Sequence, residues 1–237
     1  MGEPQRLAKR VAALVPCSRS EAEQYIEAGW VQVDGVVADT PQQRVDDAQR
    51  VTVDRAADLS KLAPATFLLN QPPGLLPGDA IALLSPANRW AADTERTPLL
   101  RAHLRSLQAL MPLPPQAAGL AVFSQHRSVI RKLTEEGAFV EQELLAQVEG
   151  AIAPDGLRRL AHGLAREGHP LPPARVSWQS EHRLRFALKG IEADLVPWMC
   201  AQVGLKVTQL RRIRLGRLPM AGLPAGQWRR LLPGERF

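Results

Sequence analysis

The chain has 237 residues, 45% hydrophobic and 23% charged, a balance that excludes disorder and leaves room for a small domain beside a medium one. Its formal charge of +6 and pI near 10.0 favour polyanionic partners. Arg supplies nearly all of the positive charge, and planar guanidinium forks suit nucleic acid better than diffuse attraction to a membrane, although a GC-rich genome gives the same bias.

Cys17 and Cys200 lie far apart and form neither a Cys-x-x-Cys pair nor a Cys/His ligand set, so zinc and disulfide readings fail. No apolar run suits a signal peptide or reaches the ~18 residues of a membrane span. A soluble cytoplasmic protein is therefore expected.

In chain order, Leu7, Val11 and Leu14 recur at helical spacing with Arg6, Lys9 and Arg10 on the remaining face, which predicts an amphipathic helix over 6–15. Ser18 stands three residues before Glu21, the spacing of a capping box, and predicts a second helix running to a stop at Gly29. Residues 31–35 read as a strand ending in an Asp-Gly turn. Val36-Val37, a turn at Pro41, Val45 and a short strand over 50–54 complete a compact unit.

Residues 55–65 have weak periodicity and contain a proline. The expected division is a domain over 1–55, a linker over 56–65 and a second domain over 66–237. In the latter, strands are predicted at 66–70, 119–124, 175–178, 183–188 and 206–215, with an extended segment over 139–148. Helices are predicted at 97–110, 126–137, 154–167 and 194–203. The expected fold class is α+β: a small helix-helix-strand domain followed by a mixed or antiparallel sheet.

The first two helices bring Arg6, Lys9, Arg10, Ser18 and Arg19 together where the second helix presents its positive N-terminal end, a phosphate-binding arrangement. For an arbitrary helix, the ordinary reading is a solvated face. The whole string tips that balance: Arg6-Leu7, Lys9, Ser18-Arg19, Glu21-Ala22, Ile26, Gly29, Val31, Val33 and Gly35 occur in order and resemble the alpha-L RNA-binding domain named after a small-subunit ribosomal protein. The resemblance implies binding of structured RNA through its phosphates and shape.

Residues 210–231, LRRIRLGRLPMAGLPAGQWRRL, are similar to the C-terminal signature of bacterial ribosomal RNA pseudouridine synthases that carry the same N-terminal module. Asn70-Gln71-Pro72-Pro73-Gly74 matches their Asn-Lys-Pro-x-Gly opening with the Lys replaced. The resemblance implies an α+β domain that isomerises uridine without cofactor or metal, through an aspartate in Gly-Arg-Leu-Asp held ionised by a basic group and aimed at a flipped-out base. Counting back from Gly119-Leu120 puts Met111-Pro112-Leu113-Pro114 at that motif. Pro114 occupies the nucleophile position, and its side chain can neither attack nor carry a proton.

The family's base-stacking tyrosine falls near Leu144, and its arginine-rich helix corresponds to 190–199, which holds no arginine. Asp79, Asp93, Asp155 and Asp194 stand in no recognisable catalytic context. His103, His126, His162, His169 and His182 form no ligand or triad pattern and read as surface histidines. A second phosphate track is expected from Lys206, Arg211, Arg212, Arg214 and Arg217, with Arg212 and Arg214 alternating onto one face of a strand. Trp228 reads as packing rather than base stacking.

No catalytic residue is expected. The favoured reading is a monomeric, inactive relative of the pseudouridine synthases that binds structured, ribosomal RNA. An active synthase with a relocated carboxylate stays open, as does a module that contacts a ribosomal protein.

Overall fold

Two apolar patterns, one of period three to four and one of runs buried on both faces, build two separate units. The computed structural model describes residues 3–58, 63–95 and 97–237; part of the expected linker, 59–62, lies outside them. Unit 1 comprises Met1–Pro64 with Thr97–Leu107, and unit 2 comprises Ala65–Arg96 with Gln108–Phe237.

Unit 1 contains β1 (Gln5–Arg6), α1 (Leu7–Leu14), α2 (Arg19–Glu27), β2 (Val31–Val33), β3 (Val36–Ala38), β4 (Arg44–Val45) and β5 (Val51–Val53). Leu7, Ala8 and Val11 of α1 meet Ala22 and Ile26 of α2 and the inward valines Val31 and Val33 in one core. The expected capping box is present: the Glu21 backbone N–H donates to Ser18 Oγ at 3.2 Å and the Ser18 N–H returns to Glu21 Oε2 at 2.7 Å. This hydrogen bonding holds the Glu21 carboxyl below its ordinary range.

Asp34 and Gly35 form the β2–β3 turn with φ of 52° and 82°, the pair of positive angles a two-residue hairpin of this hand requires. The sheet order is β3-β2-β5, and β1 pairs separately with β4.

The helix expected over 97–110 does not form. Residues Arg101–His103 make one 3₁₀ turn, Ser106 takes a φ of 54°, and Gln108–Leu110 become a strand. Pairing of Ala109 with Phe123 secures the strand backbone, and tertiary pairing overrides the local helical pattern. Thr97–Leu107 instead packs in unit 1: Leu100 lies over Gly29, where an added Cβ would meet Leu100 Cδ2 at 2.8 Å. Arg105 and Arg101 pair with Glu27 at 2.5 Å and Asp39 at 3.4 Å. His103, expected at the surface, is buried because its Nδ1 accepts the Leu100 N–H at 3.1 Å. The other four histidines are exposed.

Unit 2 contains β6 (Thr66–Gln71), α3 (Pro77–Ile81), β7 (Gln108–Leu110), β8 (Ala117–Ser124), α4 (Arg127–Thr134), β9 (Gln142–Gly150), α5 (Gly156–Ala161), β10 (Ala165–Arg166), β11 (His169–Pro170), β12 (Arg175–Ser180), β13 (Arg183–Leu188), α6 (Leu195–Ala201), β14 (Leu205–Leu215), β15 (Leu218–Pro219) and β16 (Trp228–Arg230). Among the described residues, nine of these strands form one mixed sheet with the path β12-β13-β9-β14-β8-β6-β16, β15 adding to β14 and β7 to β8. Only the β14–β8 pair is parallel in that sheet. The fold class is thus α+β.

β8 and β6 lie inside the sheet, between β14 and the edge strand β16, and are buried almost throughout, as their continuous apolar runs require. Trp228 is fully buried: its indole N–H donates to the Ser85 carbonyl at 2.7 Å, and its ring meets Phe67 edge-on at 5.3 Å. The helix expected over 154–167 stops at Ala161, because Glu167 and Gly168, with φ of 54° and 81°, turn the β10–β11 hairpin instead. Asp155, expected to start that helix, is left-handed and makes no side-chain cap.

Candidate functional site: a basic concavity and a cavity over a buried arginine

On unit 1, Arg6, Lys9, Arg19 and Arg44 border one open concavity of about 730 Å³, with Glu3 and Asp47 at its edge. Three of these four cations are expected from the sequence; Arg44 is not. It joins them because β4 pairs with β1 with Arg44 directly opposite Arg6, and its guanidinium donates to the Pro4 carbonyl at 2.8 Å. Two-residue strands leave no alternation to read, so nothing in the sequence announces this neighbour.

Arg10 does not line the concavity but pairs at 3.6 Å with Asp47 on its edge. Ser18 is committed to the helix cap, and Arg19 keeps an exposed guanidinium 3.6 Å from Glu23. Four cations on one solvated surface have the charge that phosphates demand, since neutralising phosphates releases their counterions.

On unit 2 the expected second track divides. Lys206, Arg211 and Arg217 are exposed. Arg212 is only 1% exposed, and Arg214 is tied to Glu141 and, at 2.6 Å, to Glu143. A break in register against β9 falls between Arg212 and Arg214, so the simple alternation that would place both on a solvent face is lost.

Glu141 and Glu143 also receive Arg175 at 2.7 Å and Arg185 at 2.6 Å, so five charges are shared across β9, β12, β13 and β14 or their ends. Hydrogen bonding from Arg214 holds the Glu141 carboxyl below its ordinary range. At Glu143 burial works upward, but hydrogen bonds from Arg214 and Arg185 outweigh it and the carboxyl again sits low. Arg229 and Arg230 are buried too. Arg229 forks onto Glu235 at 2.7 and 2.8 Å, and Arg230 lies 5.2 Å above the Phe67 ring.

Arg212 points into a different environment. It lines a cavity of about 700 Å³ walled by Met111, Pro112, Leu113 and Pro114 before β8, by Leu133, Gly137, Ala138 and Val140 after the middle of α4, and by residues 190–194. Its Nε donates to the Leu120 carbonyl and its Nη1 to the Met111 carbonyl, both at 2.7 Å. Nη2 has no hydrogen-bond partner among the described residues. Burial pushes the guanidinium down to about 9, which leaves it charged at neutral pH.

Pro114, expected from the sequence at the nucleophile position, is on the wall of the same cavity as a buried cation. Leu144, near which the base-stacking tyrosine was expected, is fully buried and stands opposite Arg212 in the β9–β14 register, hence on the same sheet face. Gln142, two residues along that face, donates to the Ile191 carbonyl at 2.8 Å. The two carboxylates on the lining, Glu192 and Asp194, are exposed. The rest of the lining is mostly apolar.

Known proteins resemble the chain in both units. Residues 5–51 match the family described as the S4 domain. Over 235 residues, 92% of this chain, the sequence is 28% identical to the Arabidopsis thaliana protein named putative ribosomal large subunit pseudouridine synthase SVR1, chloroplastic, and spans 56% of that protein's length. It is 26% identical to the dual-specificity RNA pseudouridine synthase RluF of Escherichia coli strain K12, covering 97% of this chain and 76% of RluF. Among solved structures, a pseudouridylate synthase superposes with a TM-score of 0.58 at 18% identity, covering 96% of each chain, and shows the fold. The chain carries an S4 domain and is homologous to ribosomal large-subunit pseudouridine synthases.

Proposed function

We propose that this chain binds structured ribosomal RNA and does not isomerise uridine. The observation that carries the reading is the pairing of Pro114 with a buried Arg212 on one cavity wall. The resemblance implies a nucleophilic aspartate held ionised by a basic group; here the expected aspartate position is a proline, on the wall of a cavity that Arg212 also lines. Leu144 in place of a stacking tyrosine removes the platform for a flipped base. Homology to enzymes that act on RNA supports the substrate class, and the four cations around the unit 1 concavity supply a means of holding it.

Under this reading residues 1–55 act as the RNA-binding module, 56–65 as a linker and 66–237 as a pseudouridine-synthase-like domain. The protein works in the cytoplasm as a monomer, without cofactor, with Lys206, Arg211 and Arg217 as additional phosphate contacts and a ribosomal protein as a neighbour. Crosslinking in cells followed by sequencing of the bound RNA tests this: ribosomal RNA is expected to dominate, and recovery of no RNA refutes the reading.

One observation favours a second reading. Glu192 and Asp194 both line the cavity, so a relocated carboxylate could serve an active synthase. Mass spectrometry of ribosomal RNA from a strain lacking the gene separates the two: a missing pseudouridine, restored by the gene and not by an Asp194→Asn or Glu192→Gln form, establishes the second reading.

A further inference from the structure

Arg212 lines the unit 2 cavity but has no free donor to offer an occupant. Its Nε and Nη1 hold the Leu120 and Met111 carbonyls at 2.7 Å, and Nη2 is sealed away from solvent. Met111 takes a φ of 44°, a strained conformation for a residue with a side chain, so the guanidinium anchors the wall built by Met111 and the residues up to Pro114. The charges that an occupant meets are instead the carboxylates of Glu192 and Asp194, both exposed on the lining. Elsewhere on unit 2, Glu141 and Glu143 are answered by arginines, whereas Glu192 and Asp194 make no ion pair among the described residues. Asp194 is the N-cap residue of α6, yet its side chain accepts no hydrogen bond there.

Apolar surface continues past the mouth of the cavity. Phe139, between the lining residues Ala138 and Val140, is 78% exposed, and Leu76, next to the lining residue Pro77, is 57% exposed. We infer that this cavity docks a basic peptide segment of a protein partner: an apolar side chain enters between Leu113, Val140 and Ile191, and flanking lysines or arginines meet Glu192 and Asp194. Charge selects the class, because two carboxylates repel RNA phosphates and attract cations. The apolar lining takes an aromatic or branched side chain, the usual anchor of a protein contact, and Phe139 and Leu76 extend the apolar surface along the chain that bears it. The partner's cations stay at the exposed carboxylates, where solvent screens them from the buried charge of Arg212.

The site lies wholly within unit 2. It gives a chemistry to the protein neighbour of the proposed function and does not rest on RNA binding. The full chain, freed of RNA by nuclease, is titrated by fluorescence anisotropy against three labelled hexapeptides: Lys-Lys-Phe-Leu-Lys-Lys, Glu-Glu-Phe-Leu-Glu-Glu and Lys-Lys-Ser-Gly-Lys-Lys. The first is expected to bind on the order of tenfold or more tighter than the third, through burial of one apolar side chain, and on the order of tenfold or more tighter than the second, through the sign of its charge. Since the chain as a whole carries +6, unspecific attraction favours the glutamate peptide, and a preference for lysine reports the local carboxylates. Glu192→Lys with Asp194→Lys, both at exposed positions, is expected to lower affinity for the first peptide on the order of tenfold and to raise that for the second. Phe139→Ser is expected to weaken the first peptide and leave the third unchanged. Arg6→Ala with Lys9→Ala, which weakens RNA binding, is expected to leave all three unchanged. Absence of binding by the first peptide, equal binding of the first and either other peptide, or undiminished binding in the double lysine variant overturns the inference.

Discussion

Gly119 and Arg212 face each other in parallel register across β8 and β14, so closely that a Cβ on Gly119 would stand 2.2 Å from the Arg212 carbonyl oxygen. Gly119 also has a φ of 105°, a conformation that residues with a Cβ rarely adopt. The glycine therefore lets β14 approach near enough to deliver Arg212 to the cavity. Gly119→Ala is expected to destabilise the chain by roughly 3 kcal/mol or more, through backbone strain and a clash with backbone that cannot swing aside. Thermal unfolding checks this; a melting temperature within a degree of the unsubstituted chain contradicts the close approach.

Arg6, Lys9, Arg19 and Arg44 border one concavity and act as phosphate contacts in the proposed function. Replacing all four by alanine is expected to weaken binding of structured RNA strongly and to lower the dependence of log K on log salt by roughly one for each phosphate no longer neutralised. Arg44→Ala alone is the sharper test, since only the β1–β4 pairing puts it there. Arg10→Ala, whose partner is Asp47, is expected to have a smaller effect. Electrophoretic shift or fluorescence anisotropy at several salt concentrations provides the measurement.

The Glu141, Glu143, Arg175, Arg185 and Arg214 network gives stability a pH dependence of defined sign. Both carboxyls are held below their ordinary range by hydrogen bonds from Arg214 and its neighbours, so their contribution is fully present above the unfolded value of about 4.3 and is lost as pH falls through the lower folded values. Denaturant melts are therefore expected to show stability declining below about pH 4.3, with a shallower decline in Glu141→Gln with Glu143→Gln than in the unsubstituted chain. An identical decline in the two proteins contradicts the network's role. Arg214→Ala, which removes the shared donor, is expected to lower stability at pH 7 and to flatten the same slope.

Unit 1 was legible in the sequence to its capping box and its Asp-Gly turn, because each of those features is local: Ser18 and Glu21, or Asp34 and Gly35, determine the backbone within a few residues. The longer strands of the unit 2 sheet, β6, β8, β9, β12, β13 and β14, were legible for a related reason, their apolar runs being long and bounded by turn residues, whereas the short β7, β15 and β16 were not foreseen. What escaped depended on pairing at a distance. The segment over 97–110 has helical spacing, but Ala109 finds a partner in Phe123 and Leu100 finds Gly29, and neither pairing is written in the local pattern. Alternation also failed at Arg212 and Arg214, because a register break lies between them. Aligned motifs led to the expectation of Pro114 at the nucleophile position, whereas the buried guanidinium on the same wall emerged only from the packing of β14 against β8.

The central claim, RNA binding without isomerisation, is tested most directly by incubating the purified chain with ribosomal RNA transcripts, measuring retention on the RNA, and quantifying pseudouridine in the same samples by mass spectrometry. Bound RNA whose pseudouridine content stays at that of RNA incubated alone is the expected outcome. A pseudouridine that accumulates with time at a defined site, and disappears when Asp194 or Glu192 is replaced by its amide, would contradict it.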